Sequence, residues 1–350
     1  MFALQMRESP SKLMIWVSPV IALVLTLVLC PIIFAVLGKD PWQGFTVFFL
    51  NPLKSTYSLG EIMLLATPLT LIGLGLSIGF RSNVWNIGAE GQYLAGAAAA
   101  TWVAISTTPL GGGLSLLLMM LAAIMGGMIW AAIPAFLRCR FNANEILVSL
   151  MLVYVAQLII SWLVQTPWRD PAGFNFPQTV IFDDKFIIPV LFQGLRVTWI
   201  FPIALVMLGV AYLFMKHSYL GFQMRVAGQS EAAARYAGYS LNKTIWVGML
   251  SGGAMAGLAG MAEIAGPLGQ LTDKISVGYG FTAIIVAFIG RLHPIGILLG
   301  SFLMAVFSLG GEQAQQYLAL PASIAKAFQG LLLLLLLGCD VLINWRITRR

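Results

Sequence analysis

Asn83, Trp85, Asn86, Glu90 and Gln92 are crowded into the run Asn83-Val84-Trp85-Asn86-Ile87-Gly88-Ala89-Glu90-Gly91-Gln92, between two apolar stretches. The amides can donate and accept hydrogen bonds at once, and the carboxylate accepts. The glycines at Gly88 and Gly91 permit an interrupted helix, which frees backbone N–H and C=O groups that must find partners or line water. An ionisable group at membrane depth costs about 2.5–3.5 kcal/mol on insertion scales, so Glu90 needs a reason to be there. Two readings stand side by side. The run lines a polar pathway, or it is a turn in which Glu90 caps a helix.

Two further stretches have a chemical character. Ser230-Glu231-Ala232-Ala233-Ala234-Arg235-Tyr236-Ala237-Gly238 spells a two-turn helix: Ser230 as N-cap, Glu231 at the positive end, Gly238 to stop it. Glu231 and Arg235 are spaced as an i,i+4 pair. So short a helix, flanked by Gly228 and Gly238, is unstable alone and needs a surface to lie on, its own protein's or a partner's. From Gly278 to Gly296, small residues around Phe281 read as a helix-packing seam or as a second lining of the pathway, with Pro294 marking a sharp return.

No sequence pattern points to covalent chemistry. A phosphate-binding loop, His-Glu-x-x-His and Gly-x-Ser-x-Gly are absent, and the two histidines, His217 and His293, and three scattered cysteines spell no metal site. We therefore expect no catalytic residue, no metal and no cofactor within this chain.

The elements that position these residues follow from composition. Hydrophobic residues make up 59% of the chain and charged residues 9%, and the mean hydropathy is +0.89. Such a chain cannot clothe a water-facing surface, so an all-α polytopic membrane protein is expected, forming one transmembrane domain over 1–350. Ten crossings are expected at 13–38, 60–80, 91–107, 114–137, 146–166, 198–215, 244–265, 279–290, 294–309 and 323–344. The first is read as an uncleaved span because it is too long for a signal core. The spans 91–107 and 279–290 are short and rich in small residues, as broken helices beside a transport route are. Each follows a glycine-rich break, and the breaks face opposite sides, so an inverted repeat is expected.

The net charge of +7 is explained by the positive-inside bias rather than by nucleic acid. With both termini cytoplasmic, Arg7, Lys12, Arg81, Arg138, Arg140, Lys216, Arg225, Arg235, Lys243, Arg291, Arg346, Arg349 and Arg350 lie inside. Only Lys39, Lys54, Arg169, Lys185, Arg196 and Lys274 lie outside, and Lys326 falls in the last span. The longer extramembrane stretches are 39–59 and 167–197 outside and 216–243 inside.

Asn86-Ile87-Gly88-Ala89-Glu90-Gly91-Gln92 resembles the Asn-Ile-Gly-x-Glu-Gly-Gln signature of permease subunits of bacterial ATP-binding-cassette importers, of the simple-sugar/nucleoside branch in the larger family of ribose and branched-chain amino-acid permeases. Asn144-Glu145-Ile146, Asp170-Pro171, Phe174-x-Phe176-Pro177, Gly280-Phe281-Thr282-Ala283-Ile284 with Gly290-Arg291, and Cys339-Asp340-Val341-Leu342 are similar to that branch too, in order along nearly the whole chain. The resemblance implies an inner-membrane permease that moves nucleosides, or related simple sugars, by alternating access. A heterocyclic vitamin is a further alternative, and outside the resemblance stands an ion-coupled carrier acting alone. It also implies a second homologous permease in a heterodimer, a cytoplasmic ATPase that binds ATP and Mg, and an extracytoplasmic substrate-binding protein. On this reading Gly228, Glu231, Ala232, Arg235 and Gly238 belong to the coupling helix, and Asn83, Trp85, Asn86, Glu90, Gln92 and Phe281 to the substrate pathway. The chain departs from many nucleoside-type members at Val153, where they carry Asn.

Overall fold

The computed structural model describes residues 2–7, 11–107, 113–321 and 323–349. Arg350, counted above among the inside cations, lies outside them. In order, the elements are strand β1 (Phe2–Met6), helices α1 (Lys12–Val36), α2 (Pro41–Phe45), α3 (Asn51–Lys54), α4 (Thr56–Phe80), α5 (Ala89–Ser106), α6 (Leu114–Phe141), α7 (Glu145–Gln165), α8 (Ile200–His217), α9 (Tyr219–Gln229), α10 (Glu231–Tyr236), α11 (Leu241–Glu263), α12 (Tyr279–Ile289), α13 (Pro294–Leu318) and α14 (Ser323–Asn344), and strand β2 (Trp345–Arg349).

Among the described residues, eight helical segments are long and apolar enough to cross a bilayer: Val17–Val36, Thr56–Phe80, Leu114–Phe141, Glu145–Gln165, Ile200–His217, Leu241–Leu268, Pro294–Leu318 and Ser323–Asn344. The chain is a multi-pass helical membrane protein. α5 and α12 fall outside that set. α12 has 11 residues, a rise of about 16 Å, roughly half the hydrocarbon thickness.

The chain divides into two compact units, residues 1–62 with 303–350 and residues 63–302, and the division falls inside α4 and α13. In the first unit α1 packs along α14, and Ser18 donates to Asp340 at 2.7 Å. Three features go beyond the expected spans. The stretch 39–59, expected as an extramembrane stretch, is largely helical: Asp40 caps α2 at Gln43 N, Pro41 opens it, and a π-helical stretch Thr46–Leu50 links it to α3. Phe48 and Phe49 of this stretch are buried against Phe34, Phe307 and Phe328, with ring centroids 4.8–6.2 Å apart. Beside the helices stands one short ribbon, in which β1 and β2 pair antiparallel, Phe2 opposite Arg349 and Met6 opposite Trp345. The ninth span runs past 309 to Leu318, continuing helically through Gly310-Gly311. The first of these glycines is needed because a Cβ there would strike the carbonyl of Phe48.

In the second unit α5, α6 and α11 form the centre. Their backbones nearly touch: a side chain at Gly257 would run into the backbone of Ala123, and one at Gly96 into Gly257 itself. Small residues allow that approach where lipid supplies no hydrophobic drive between helices. The segment 167–197 is pinned over the end of α11. Thr179 N, Phe182 N and Ile188 N donate to the carbonyls of Leu271, Gly269 and Ala265 at 2.7–3.0 Å, with Phe182, Phe186 and Ile188 buried beneath.

Candidate functional site

α4 stops at Phe80 and α5 starts at Ala89; between them Asn83 takes a left-handed φ of 57° and the chain runs extended. The freed backbone groups are met one by one. Val84 N donates to Gly79 O at 3.1 Å, Trp85 N reaches Glu145 Oε1 at 3.4 Å, Ile87 N reaches Ser149 Oγ at 3.2 Å, and Gly88 N reaches Asn86 Oδ1 at 3.0 Å. The Asn86 and Gln92 amides pair reciprocally, at 2.9 and 3.0 Å, and both residues are buried. The pair lies over Gly252 of α11, where a Cβ would come within 2.7 Å of Asn86 Nδ2. Glu145, which opens α7 behind its N-cap Asn144, also forms an ion pair with Arg138 at the end of α6.

Glu90 is 0% exposed. Its Oε1 accepts from Ser276 Oγ at 2.8 Å and from Gly278 N at 3.0 Å, and its Oε2 from Gly280 N at 2.6 Å. These donors stand at the start of α12, where backbone N–H groups are unmet and the helix dipole is positive. Glu90 sits in the first turn of α5 but caps α12. The joint requires two glycines: Gly278 has φ 96°, and a Cβ at Gly280 would strike the backbone of Ala89 and Glu90. Ser276 in turn accepts from Gln157 of α7 at 3.0 Å. Two broken ends, 190 residues apart in sequence, are thereby tied together.

The other residues singled out for the pathway lie around this joint. Trp85 stacks with Phe80 and Phe288, ring centroids 5.2–6.0 Å apart, and its Nε1 donates to the exposed Asn83 at 2.8 Å. Tyr93 and Tyr279 meet edge to face at 5.9 Å beside Glu90, with the Tyr93 hydroxyl buried and unpartnered. Phe281, the residue after Gly280, is 38% exposed. Val153, the point of departure from nucleoside-type members, is fully buried in the seam between α7 and α5, its Cα close to Gly91.

The stretch 216–243 differs in every respect. α9, which was not anticipated, begins at Ser218, whose Oγ caps Gly221 N at 2.9 Å, and buries Gly221, Met224 and Ala227 on one face. α10 follows after the single residue Ser230, whose Oγ caps Ala233 N at 3.2 Å, and Gly238 with φ 76° ends it. Of α10 only Ala234 is buried; Glu231, Ala232, Ala233, Arg235 and Tyr236 face out, Tyr236 at 97%. Glu231 and Arg235 make no ion pair with each other. Gly228 sits apart from that face, against the carbonyl of Arg81. Beside α10 opens a cleft of about 450 Å³ lined by Arg138, Arg140, Asn142, Glu231, Arg235 and Asn242. Among the described residues no group of three metal-ligating side chains comes together.

Residues that sequence reasoning missed are those that serve others. Ser149, Gln157, Ser276 and Gly278 hold the broken ends, and Tyr236 tops α10. Asn144-Glu145 was noticed as a motif, but the link from Glu145 to Trp85 N and Arg138 was not. Only Tyr236 carried a local signal, as the one aromatic on a short polar helix.

Residues 58–337 match the family described as the permease component of the branched-chain amino acid transport system. The glucose ABC transporter permease protein TsgB13 of Haloferax volcanii is 35% identical, over 94% of this chain and 89% of the relative. The guanosine ABC transporter permease protein NupP of Bacillus subtilis is 30% identical, over 83% and 84%, and the nucleoside ABC transporter permease protein NupB of Lactococcus lactis 27%, over 83% and 82%. With a helical multi-pass fold, two broken segments tied at Glu90 and these matches, this chain belongs to that permease-component family and is a membrane permease of the ATP-binding-cassette kind.

Proposed function

We propose that this chain imports nucleosides across the cytoplasmic membrane by alternating access, as one of two homologous permeases joined to a separate cytoplasmic ATPase and fed by an extracytoplasmic binding protein. ATP and Mg belong to the ATPase. The observation that carries the coupling part is α10, a six-residue helix that is too short to stand alone and turns nearly all its side chains outward. Its exposed Glu231, Ala232, Arg235 and Tyr236 suit a cleft on the ATPase, and the neighbouring basic recess suits side chains from the same partner. Closure of the ATPase would then tilt α9 and α11, between which α10 is slung.

Ten crossings with both termini inside follow if α5 and α12 are counted as partial spans. Two facts support an inverted repeat: each of these helices begins at a glycine, Gly88 or Gly278, and the two beginnings meet. The excess of Lys and Arg in the connections assigned to the inside supports the orientation.

The Glu90 carboxylate is buried and already engaged by three donors, so it is not free to meet a cationic solute, which supports a neutral one. The guanosine and nucleoside relatives support a nucleoside. A free sugar is the second reading, favoured by the 35% identity to a glucose permease. Uptake of labelled guanosine by cells expressing the complete transporter, competed with unlabelled uridine, ribose or glucose, decides between them. Competition by uridine alone supports the nucleoside; uptake of labelled glucose by the same cells with none of labelled guanosine rejects it.

A further inference from the structure

Between α4, α6, α8 and α11 lies a groove of about 390 Å³ lined by Ile78, Met128, Met207, Val210, Ala211, Phe214, Val247, Leu250, Ser251, Ala254 and Met255, with Ser251 its only polar side chain. The lining of α11 from Val247 to Met255 extends about 12 Å along the axis. On α8 the lining residues Met207, Val210, Ala211 and Phe214 share one face, and its neighbours Leu205, Val206 and Leu213 are exposed. In a membrane helix, an exposed apolar surface of this kind meets acyl chains.

One end of the groove opens beside a cluster of cations. Ile78, Phe214 and Val247 pack with Met215 and Met224. Arg81 follows Ile78 by one turn, Lys216 follows Phe214, and Arg225 follows Met224. Arg81 donates to Leu292 O at 2.6 Å, and Lys216 lies 5.1 Å over the Tyr212 ring with its Nζ donating to the hydroxyl. Tyr212 meets His217 and His293 edge-on, at 6.5 and 6.0 Å. None of Arg81, Lys216 and Arg225 is paired with a carboxylate among the described residues. Burial, and then the nearby Arg225, hold the Arg81 guanidinium below its ordinary value; burial and then Arg81 do the same to His293. Like charges are gathered where an anion would relieve them.

The geometry points to a binding site for one anionic phospholipid of the cytoplasmic leaflet, its phosphate among Arg81, Lys216 and Arg225 and an acyl chain in the groove between α8 and α11. The adjacency of an apolar slot and an unbalanced basic cluster is what selects this occupant: a neutral lipid gains nothing from the cluster, and a free anion gains nothing from the slot. Basic pockets between membrane helices on this side are suited to anionic head groups.

The test is native mass spectrometry of the purified full chain, delipidated and then exposed to phosphatidylglycerol or phosphatidylcholine. Wild type should retain one phosphatidylglycerol in preference to phosphatidylcholine. Lys216→Gln with Arg225→Gln, both on accessible side chains, should weaken phosphatidylglycerol retention by roughly fivefold per charge removed and leave phosphatidylcholine unchanged. Ala254→Phe, which fills the slot, should weaken both. Unchanged phosphatidylglycerol retention in the charge variant overturns the site. So does displacement of the lipid by inorganic phosphate at equal concentration, which would make it a free-anion site. An Ala254→Phe effect on oligomeric state without loss of lipid would make the groove a protein interface and also overturn it.

Discussion

The Glu90 joint and the α9–α10 elbow are both polar places in the second unit, and they spend polarity in opposite ways. At the joint, the polar side chains that the sequence marks most strongly, Asn86, Glu90 and Gln92, are buried and their main partners lie within the chain. At the elbow, Glu231, Arg235 and Tyr236 are exposed and meet almost nothing of their own protein. Polar residues in an apolar sequence thus divide into those that repair broken backbone and those left over for an outside partner. Burial and hydrogen bonding separate the two, whereas residue type does not.

If the comparison is right, stability should track the joint and coupling should track the elbow. The largest effect is expected from Gly280→Val, whose side chain would overlap the backbone of Ala89 and Glu90; the variant should fail to yield folded protein, read by size-exclusion chromatography in detergent. Glu90→Ala leaves two N–H groups and a hydroxyl without their acceptor in a buried site, a loss of about 3 kcal/mol or more. It should lower the midpoint of thermal unfolding clearly, with Glu90→Gln in between. Asn86→Ala removes the amide pair with Gln92 and the acceptor of Gly88 N, and should cost about 1–3 kcal/mol in the same assay. At the elbow, Tyr236→Ala should change stability by less than about 0.5 kcal/mol and yet remove substrate-stimulated ATPase activity of the assembled transporter. A Tyr236→Ala variant that unfolds, or a Glu90→Ala variant as stable as wild type, would erase the distinction.

Much of this was legible in the sequence, and what was not has a common cause. α10 was readable to the residue because Ser230 and Gly238 act locally, within one turn of the helix they bound. The membrane class was readable because it depends on composition alone. The partner of Glu90 was not, since Gly278 and Gly280 lie 188 and 190 residues away and a glycine N–H leaves no mark on a sequence. That left the choice between pathway and cap open, and it concealed that the helix being capped is α12. The helical turns over 41–54 were hidden by their Pro and Gly, although the spacing of Phe45, Phe48 and Phe49 places them on one helical face. α9 was lost in a stretch scanned for polarity, where its buried side is only Gly221, Met224 and Ala227.

The most direct test uses Tyr236→Cys, modified by a membrane-impermeant thiol reagent in inside-out vesicles with and without the ATPase subunit. Cys30 and Cys339 are buried and Cys139 is only partly exposed, so the background of native thiols is small. The account predicts rapid labelling of the permease alone and strong protection when the ATPase is bound. Labelling at the same rate with and without the ATPase would mean that the exposed face of α10 is not where the partner sits.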